Sequence, residues 1–153
     1  MMHLSGAGLE LLKQSEGFRS RTYLDVAGNP TIGFGHRLVH PEYFADGISE
    51  AQGEAMLQDD VRVAERAVER LVHVPLSQGQ FDALVDFVFN LGEGQLAAST
   101  LLKDLNEGQY HAAGGQLLRW DHAGGEEVAS LKARRESEFR LWSSGGPEQQ
   151  AAA

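Results

Sequence analysis

The residues whose types and spacing could carry chemistry are concentrated between Ser15 and His36, in SEGFRSRTYLDVAGNPTIGFGH. Glu16 follows Leu9 and Leu12 along one face of a short helical pattern, and Gly17 stands just past it. Partial burial and the negative end of a helix dipole both favour the protonated carboxyl, the state a general acid needs near neutral pH. A lone glutamate at a helix end is otherwise an ordinary surface residue. Asp25 precedes a Gly28-Asn29-Pro30 turn, where a solvated carboxylate stays ionised and can orient or deprotonate a water. Turn capping is the competing use of an aspartate at that place. One protonated and one bare carboxyl are what glycoside hydrolysis uses. A chain that is 23% charged offers many such pairs, so the pair alone carries little weight.

Strand alternation through TIGFGH puts Ile32, Phe34 and His36 on one face and Thr31, Gly33 and Gly35 on the other. The second face has almost no side chain. Either it lets a bulky ligand approach the backbone, or the glycines only ease the twist of a short hairpin. An inward His36 needs a polar partner. Asp59 and Asp60 are the acidic candidates, and a buried His36–Asp60 pair that holds the fold is favoured. His36 and His40 are four apart without an obvious helix, and with six histidines and no cysteine a metal site is not expected. GxSxG, GxxxxGK and HExxH do not occur, and Gly33-Phe34-Gly35 lacks the third glycine of a dinucleotide loop.

The elements that must position these residues follow from capping and periodicity. Ser5 can cap a helix running to Glu16. TYLD and TIGFGH read as two strands around a turn, the only β-like stretch of the chain. Ser49 with Gln52 forms a capping box before Leu57, Val61, Ala64, Val68 and Leu71, predicting a helix of ~36 Å from Ser49 to Val72. The many Glu and Arg residues between 59 and 70 read as its solvated face. Ser77 with Gln80 opens another helix through Phe81, Leu84, Val85 and Val88. Leu101, Leu102 and Leu105, then Tyr110, Leu117 and Trp120, then Leu131, Glu138, Phe139 and Trp142 continue the helical pattern. The expected fold class is α+β and mostly helical: a small β-hairpin lobe (15–60) and a larger helical lobe (1–14 with 72–142), joined by the helix over 49–72. The expected domain is single, 1–142, with a frayed tail over 143–153. Two lobes imply a cleft, a usual place for a ligand.

Composition narrows the classes. The chain has 153 residues, 42% of them hydrophobic, enough for one core. No apolar run approaches the ~18–20 residues of a membrane span, and the N-terminus has neither the basic start nor the apolar stretch of a secretory signal. The absence of cysteine excludes thiolate catalysis and a disulfide scaffold. A net charge of −9 argues against general nucleic-acid affinity.

The stretch from Glu16 to His36 resembles the T4-type phage lysozymes, the lysozyme-like endolysins of glycoside hydrolase family 24. The family's signature is a Glu, an Asp or Cys nine residues on, and a Thr six further, running into TIGxGH. Here it stands as Glu16, Asp25 and Thr31. ISEAQGEAMLQDDV is similar to the start of the family's interlobe helix, and Asp60 matches the aspartate that pairs with the TIGxGH histidine. PLSQGQFDALVDFVFNLG is similar to its central helix. RWDHAGG followed by Arg134-Arg135 resembles the lambdoid branch. The resemblance implies a cofactor-free muramidase acting on bacterial peptidoglycan at the β-1,4 bond between N-acetylmuramic acid and N-acetylglucosamine. By it, Glu16 protonates the leaving oxygen, Asp25 and Thr31 position water, and the outcome is inversion, which needs carboxyls about 6.5–9.5 Å apart. It also carries over Gly35, Arg37, Phe89 and Asn90 as cleft-lining substrate contacts, and sets Arg134 or Arg135 near Glu16 without choosing between them.

The same resemblance implies a monomer with no stable membrane insertion, held in the host cytoplasm and needing a holin-type pore to reach the periplasmic wall. Three features depart from the family pattern: Ser130 and Ala129 where the lambdoid branch has Gly and Pro, no signal-anchor, and the acidic balance. A hydrolase of the same fold acting on chitin, and an inactive glycan-binding protein of lysozyme shape, are the rivals. Product analysis on sacculi and chitin oligomers separates the first, and the intact trio speaks against the second.

Overall fold

In a computed structural model, which describes residues 1–25, 27–39 and 44–144, the chain forms seven helices and two small sheets among the described residues. His40 and the tail beyond Ser144 lie outside them. Helix α1 spans Gly6–Glu16, with Ser5 accepting from the Gly8 N–H and Gly17 closing the end at φ +68°. Strands β1 (Arg19–Leu24), β2 (Pro30–Gly33) and β3 (His36–Arg37) form an antiparallel sheet in that order. The long helix α2 spans Glu50–Leu71 and carries the complete capping box of Ser49 and Gln52.

Next come α3 (Gln78–Leu91), α4 (Glu93–Ala97), α5 (Thr100–Asn106) and α6 (Tyr110–Leu117). A hairpin of β4 (His122–Ala123) and β5 (Glu126–Glu127) leads into α7 (Ala129–Ser143). Phe81, Leu84, Val85 and Val88 of α3 lie in the core with Leu57, Val61 and Val68 of α2, and with Leu101, Leu105, Leu117 and Trp142. The apolar spacing of α2 and α3 therefore points where the sequence predicts, whereas α7 brings Trp142 and not Leu131 or Phe139 into the core. The sheet packs through β2 and β3 on α2, whereas α1 packs on α3 and α7. The end of α1, where Glu16 sits, thus belongs to the helical packing and leads straight into the sheet.

Four expectations need correction. The strand through TIGFGH breaks, because Gly33 (φ +66°) and Gly35 (φ +69°) take positive φ and turn the chain between β2 and β3. The β4–β5 hairpin, closed by Gly124-Gly125, is a second β element that the reading missed. Glu65, assigned to a solvated face, is buried and accepts the Leu4 N–H at 2.6 Å, tying the N-terminal segment to α2. Ser143, assigned to the tail, ends α7 as ordered helix, and Ser144 caps it through its N–H. Ala129 and Ser130 form the first turn of that helix.

Candidate active site

One row of side chains crosses the small sheet. Tyr23 stands opposite Thr31, and Thr31 opposite Arg37, so the three share a face. Asp25, two residues beyond Tyr23, continues on it. This face looks onto a cleft of about 590 Å³ whose far wall is made by Val63, Ala64 and Ala67 of α2 and by Val88, Phe89 and Asn90 of α3. Glu16, Gly35, His36 and Asp60 also line it. All nine residues singled out from the sequence therefore meet in one groove. Tyr23 and Glu93 also line it and were not singled out. Alternation back from Asp25 was a signal for Tyr23; nothing local marked Glu93.

The two carboxyls are held in different ways. Asp25 sits in the turn after β1, where its Oδ1 accepts the backbone N–H groups of Ala27 at 2.9 Å and Asn29 at 2.8 Å. The Asn29 backbone hydrogen bond, more than any other influence, holds the Asp25 carboxyl below the usual carboxylate range. Desolvation opposes it, while the Asn29 side chain, the Ala27 N–H and Arg37 at 3.9 Å act with it. The turn-capping and the solvated-carboxylate readings are thus both present in one residue. The Thr31 hydroxyl donates to the Asn29 carbonyl at 2.9 Å, leaving its oxygen able to accept from a water.

Glu16 is 19% exposed and receives Nη1 of Arg134 at 2.6 Å. Of the two candidate arginines it is therefore Arg134 that reaches Glu16, while Arg135 turns to Asn90, donating to its Oδ1 at 2.8 Å. Gly35 has a specific purpose here. A Cβ at that position would run into Glu16 Oε1, so the absent side chain makes room for the carboxyl and not only for a ligand. Burial pushes the Tyr23 phenol up, and the charges of Glu16 and Asp25 add to that.

His36 Nδ1 and Asp60 Oδ2 lie 2.7 Å apart, as the sequence suggests, with the side chains 16% and 30% exposed. The pair is half-buried at the cleft wall and not sealed in the core, because β3 is short and sits at the sheet edge. No group of three or more His, Asp or Glu poised to hold a metal occurs among the described residues. Among the described residues no helix is long and apolar enough to cross a membrane.

Known proteins are similar to this chain in sequence and fold. The family model described as phage lysozyme matches residues 13–138, most of the chain and all of the cleft. The chain belongs to the phage lysozyme family. The family's endolysin from Salmonella phage P22 is 40% identical over 138 residues, covering 88% of this chain and 94% of its own. The endolysin of Bacillus phage B103 is 41% identical over 148 residues, 94% of this chain, and this chain spans only 55% of its length. Among solved structures, the muramidase domain of SpmX from Asticaccaulis excentricus superposes with a TM-score of 0.82 at 35% identity, covering 92% of this chain and 98% of that one.

Proposed function

We propose that the protein is a peptidoglycan hydrolase, a muramidase that cleaves the β-1,4 bond between N-acetylmuramic acid and N-acetylglucosamine, and that it serves bacterial cell lysis as endolysins do. The observation that carries this reading is the pair of carboxyls opening into one cleft from contrasting settings. Asp25 is held ionised by backbone N–H groups. Glu16 is partly shielded at the end of α1 on the other wall.

In the reaction Glu16 gives its proton to the leaving glycosidic oxygen. Arg134, hydrogen-bonded to the same carboxyl, then stabilises the carboxylate that forms. Asp25 accepts a proton from the attacking water, and Thr31 beside it fixes that water through its free acceptor capacity. Water enters from the face opposite the leaving group, so the configuration at the anomeric carbon inverts. Gly35, Arg37, Phe89 and Asn90 contact the glycan along the cleft, and the His36–Asp60 pair braces β3 against α2. The chain acts as a monomer and uses no cofactor. It waits in the host cytoplasm and crosses to the periplasmic wall through a holin-type pore.

The test is clearing of permeabilised Gram-negative cells by wild type and by Glu16→Gln. The variant should lose about 10²–10⁴-fold in rate, the usual weight of general acid catalysis, while its circular dichroism is retained. Lysis at the wild-type rate by folded Glu16→Gln protein excludes Glu16 as the acid.

A further inference from the structure

Two acids that this reaction does not use are sealed behind the cleft. Asp86 of α3 and Glu138 of α7 are both 0% exposed, and each meets one of two adjacent arginines. Arg134 donates from Nε to Asp86 Oδ2 at 3.0 Å and from Nη2 to Oδ1 at 2.9 Å. A guanidinium is planar, so a bidentate grip on one edge fixes where the remaining nitrogen points. That nitrogen is Nη1, and it points at Glu16. Arg135 turns the other way: its Nη2 serves Glu138 Oε2 and Asn90 Oδ1, both at 2.8 Å, and its guanidinium lies 5.3 Å from the Phe87 ring centre. Replacing a buried ion pair with apolar side chains of similar volume is often neutral or stabilising, so stability alone gives little reason to keep these groups dry.

We propose that Asp86 is a positioning residue of the reaction, whose two-point grip on Arg134 sets where the Glu16 carboxyl stands in the cleft. This inference rests on the reading of Glu16 as the acid. Electrostatics fits the geometry. Burial opposes the charge on Asp86, but hydrogen bonds from Glu138 and Arg134, with the charges of both arginines, hold its carboxyl below the usual range. Burial pushes Glu138 well above that range, and the adjacent Asp86 adds to the effect. On the buried side it is Asp86 that grips Arg134, whereas Glu138 meets Arg135.

Asp86→Asn keeps the shape but sets an amide NH₂ where Arg134 needs an acceptor, so one of the two bonds is lost. On soluble peptidoglycan fragments, kcat should fall about tenfold or more with KM within about threefold, the split expected of a displaced acid and not of lost binding. In an Arg134→Met background the same change should lower kcat by less than about twofold, because the intermediary is already gone. A folded Asp86→Asn protein with kcat within about twofold of wild type overturns the inference, as does an equal loss in both backgrounds. Should Asp86→Asn not fold, Asp86→Glu moves the carboxylate by one methylene and must lower kcat; an unchanged kcat there overturns the inference too. A wild type that releases no muramyl product overturns the reading of the site itself.

Discussion

The two walls of the cleft hold their carboxyls by opposite strategies. On the sheet side, Asp25 takes its hydrogen bonds from Ala27 and Asn29, within four residues along the chain. On the helical side, Glu16 depends on Arg134, which stands 118 positions away and is itself held by Asp86 on a third helix. A locally held group keeps its geometry as long as its turn survives. A group held through long-range contacts keeps it only while α1, α3 and α7 stay packed. In the proposed roles, the base is therefore insulated from the rest of the fold, and the acid is coupled to it.

The largest effect that sharpens this contrast is on stability. Arg134→Met removes the buried cation between Glu16 and Asp86 and leaves Asp86 in the interior without its bidentate partner. Losing one partner of a buried pair costs about 3–5 kcal/mol. Denaturant unfolding should show a loss of that order, and adding Asp86→Asn should recover part of it. A single variant as stable as wild type means that the helical wall is not tied together through this arginine.

The contrast also explains what the sequence could reveal. Caps, helix periods and the turn at Asp25 depend on neighbours a few residues apart, so Ser5, Ser49, Ser77 and the Asp25 turn could be read directly. The Glu16, Asp25 and Thr31 spacing was legible because it resembles a family signature, and it led to one cleft. The choice of Arg134 over Arg135 was not legible, since the two are adjacent and only the packing of α7 on α3 decides which faces α1. Asp86 lay hidden for the same reason: charged residues on an amphipathic helix read as surface until the second helix that covers them is in place. Glu65, covered by the N-terminal segment, is a second instance. The β2 break at Gly33 was missed because alternation has no way to register a positive φ.

A smaller effect tests how tightly the two walls meet. Gly35 turns the sheet side at φ +69°, and its missing Cβ is the space taken by the Glu16 carboxylate. Gly35→Ala should cost about 1–2 kcal/mol for the left-handed backbone alone. Because Arg134 restrains Glu16, the added methyl should also displace the acid and lower the rate of wall cleavage. Unchanged cleavage would mean that the carboxyl yields freely and that the helical wall is looser than its contacts suggest.

The sheet wall makes its own prediction through pH. An acid held below its ordinary value keeps its charge as pH falls, so Asp25 should remain ionised down to and below 3.8, the ordinary aspartate value. The acid limb of kcat on soluble fragments should accordingly lie below that pH. By the same sign, whatever stability the Asp25 hydrogen bonds give is present above the unfolded value and is lost as pH falls through the folded one. Asn29→Ala should raise the limb only slightly, because the backbone N–H that dominates remains. A limb above 3.8 in protein still folded by circular dichroism would remove Asp25 from the role of base.

The smallest expected effect belongs to neither wall but to the chain as a whole. A net charge of −9 faces an anionic polymer. Long-range repulsion slows encounter when the screening length is about 30 Å, near 0.01 M salt, and fades when it is about 8 Å, near 0.15 M. The ion pairs inside the site are different in kind. Arg134 is buried between Glu16 and Asp86 at contact distance, so added salt hardly screens it. Salt should therefore raise kcat/KM on intact sacculi over this range while leaving kcat nearly unchanged. A kcat that falls steeply with salt would show that the acid's wall is held by exposed charges after all, and the division between an insulated base and a buried, coupled acid would not stand.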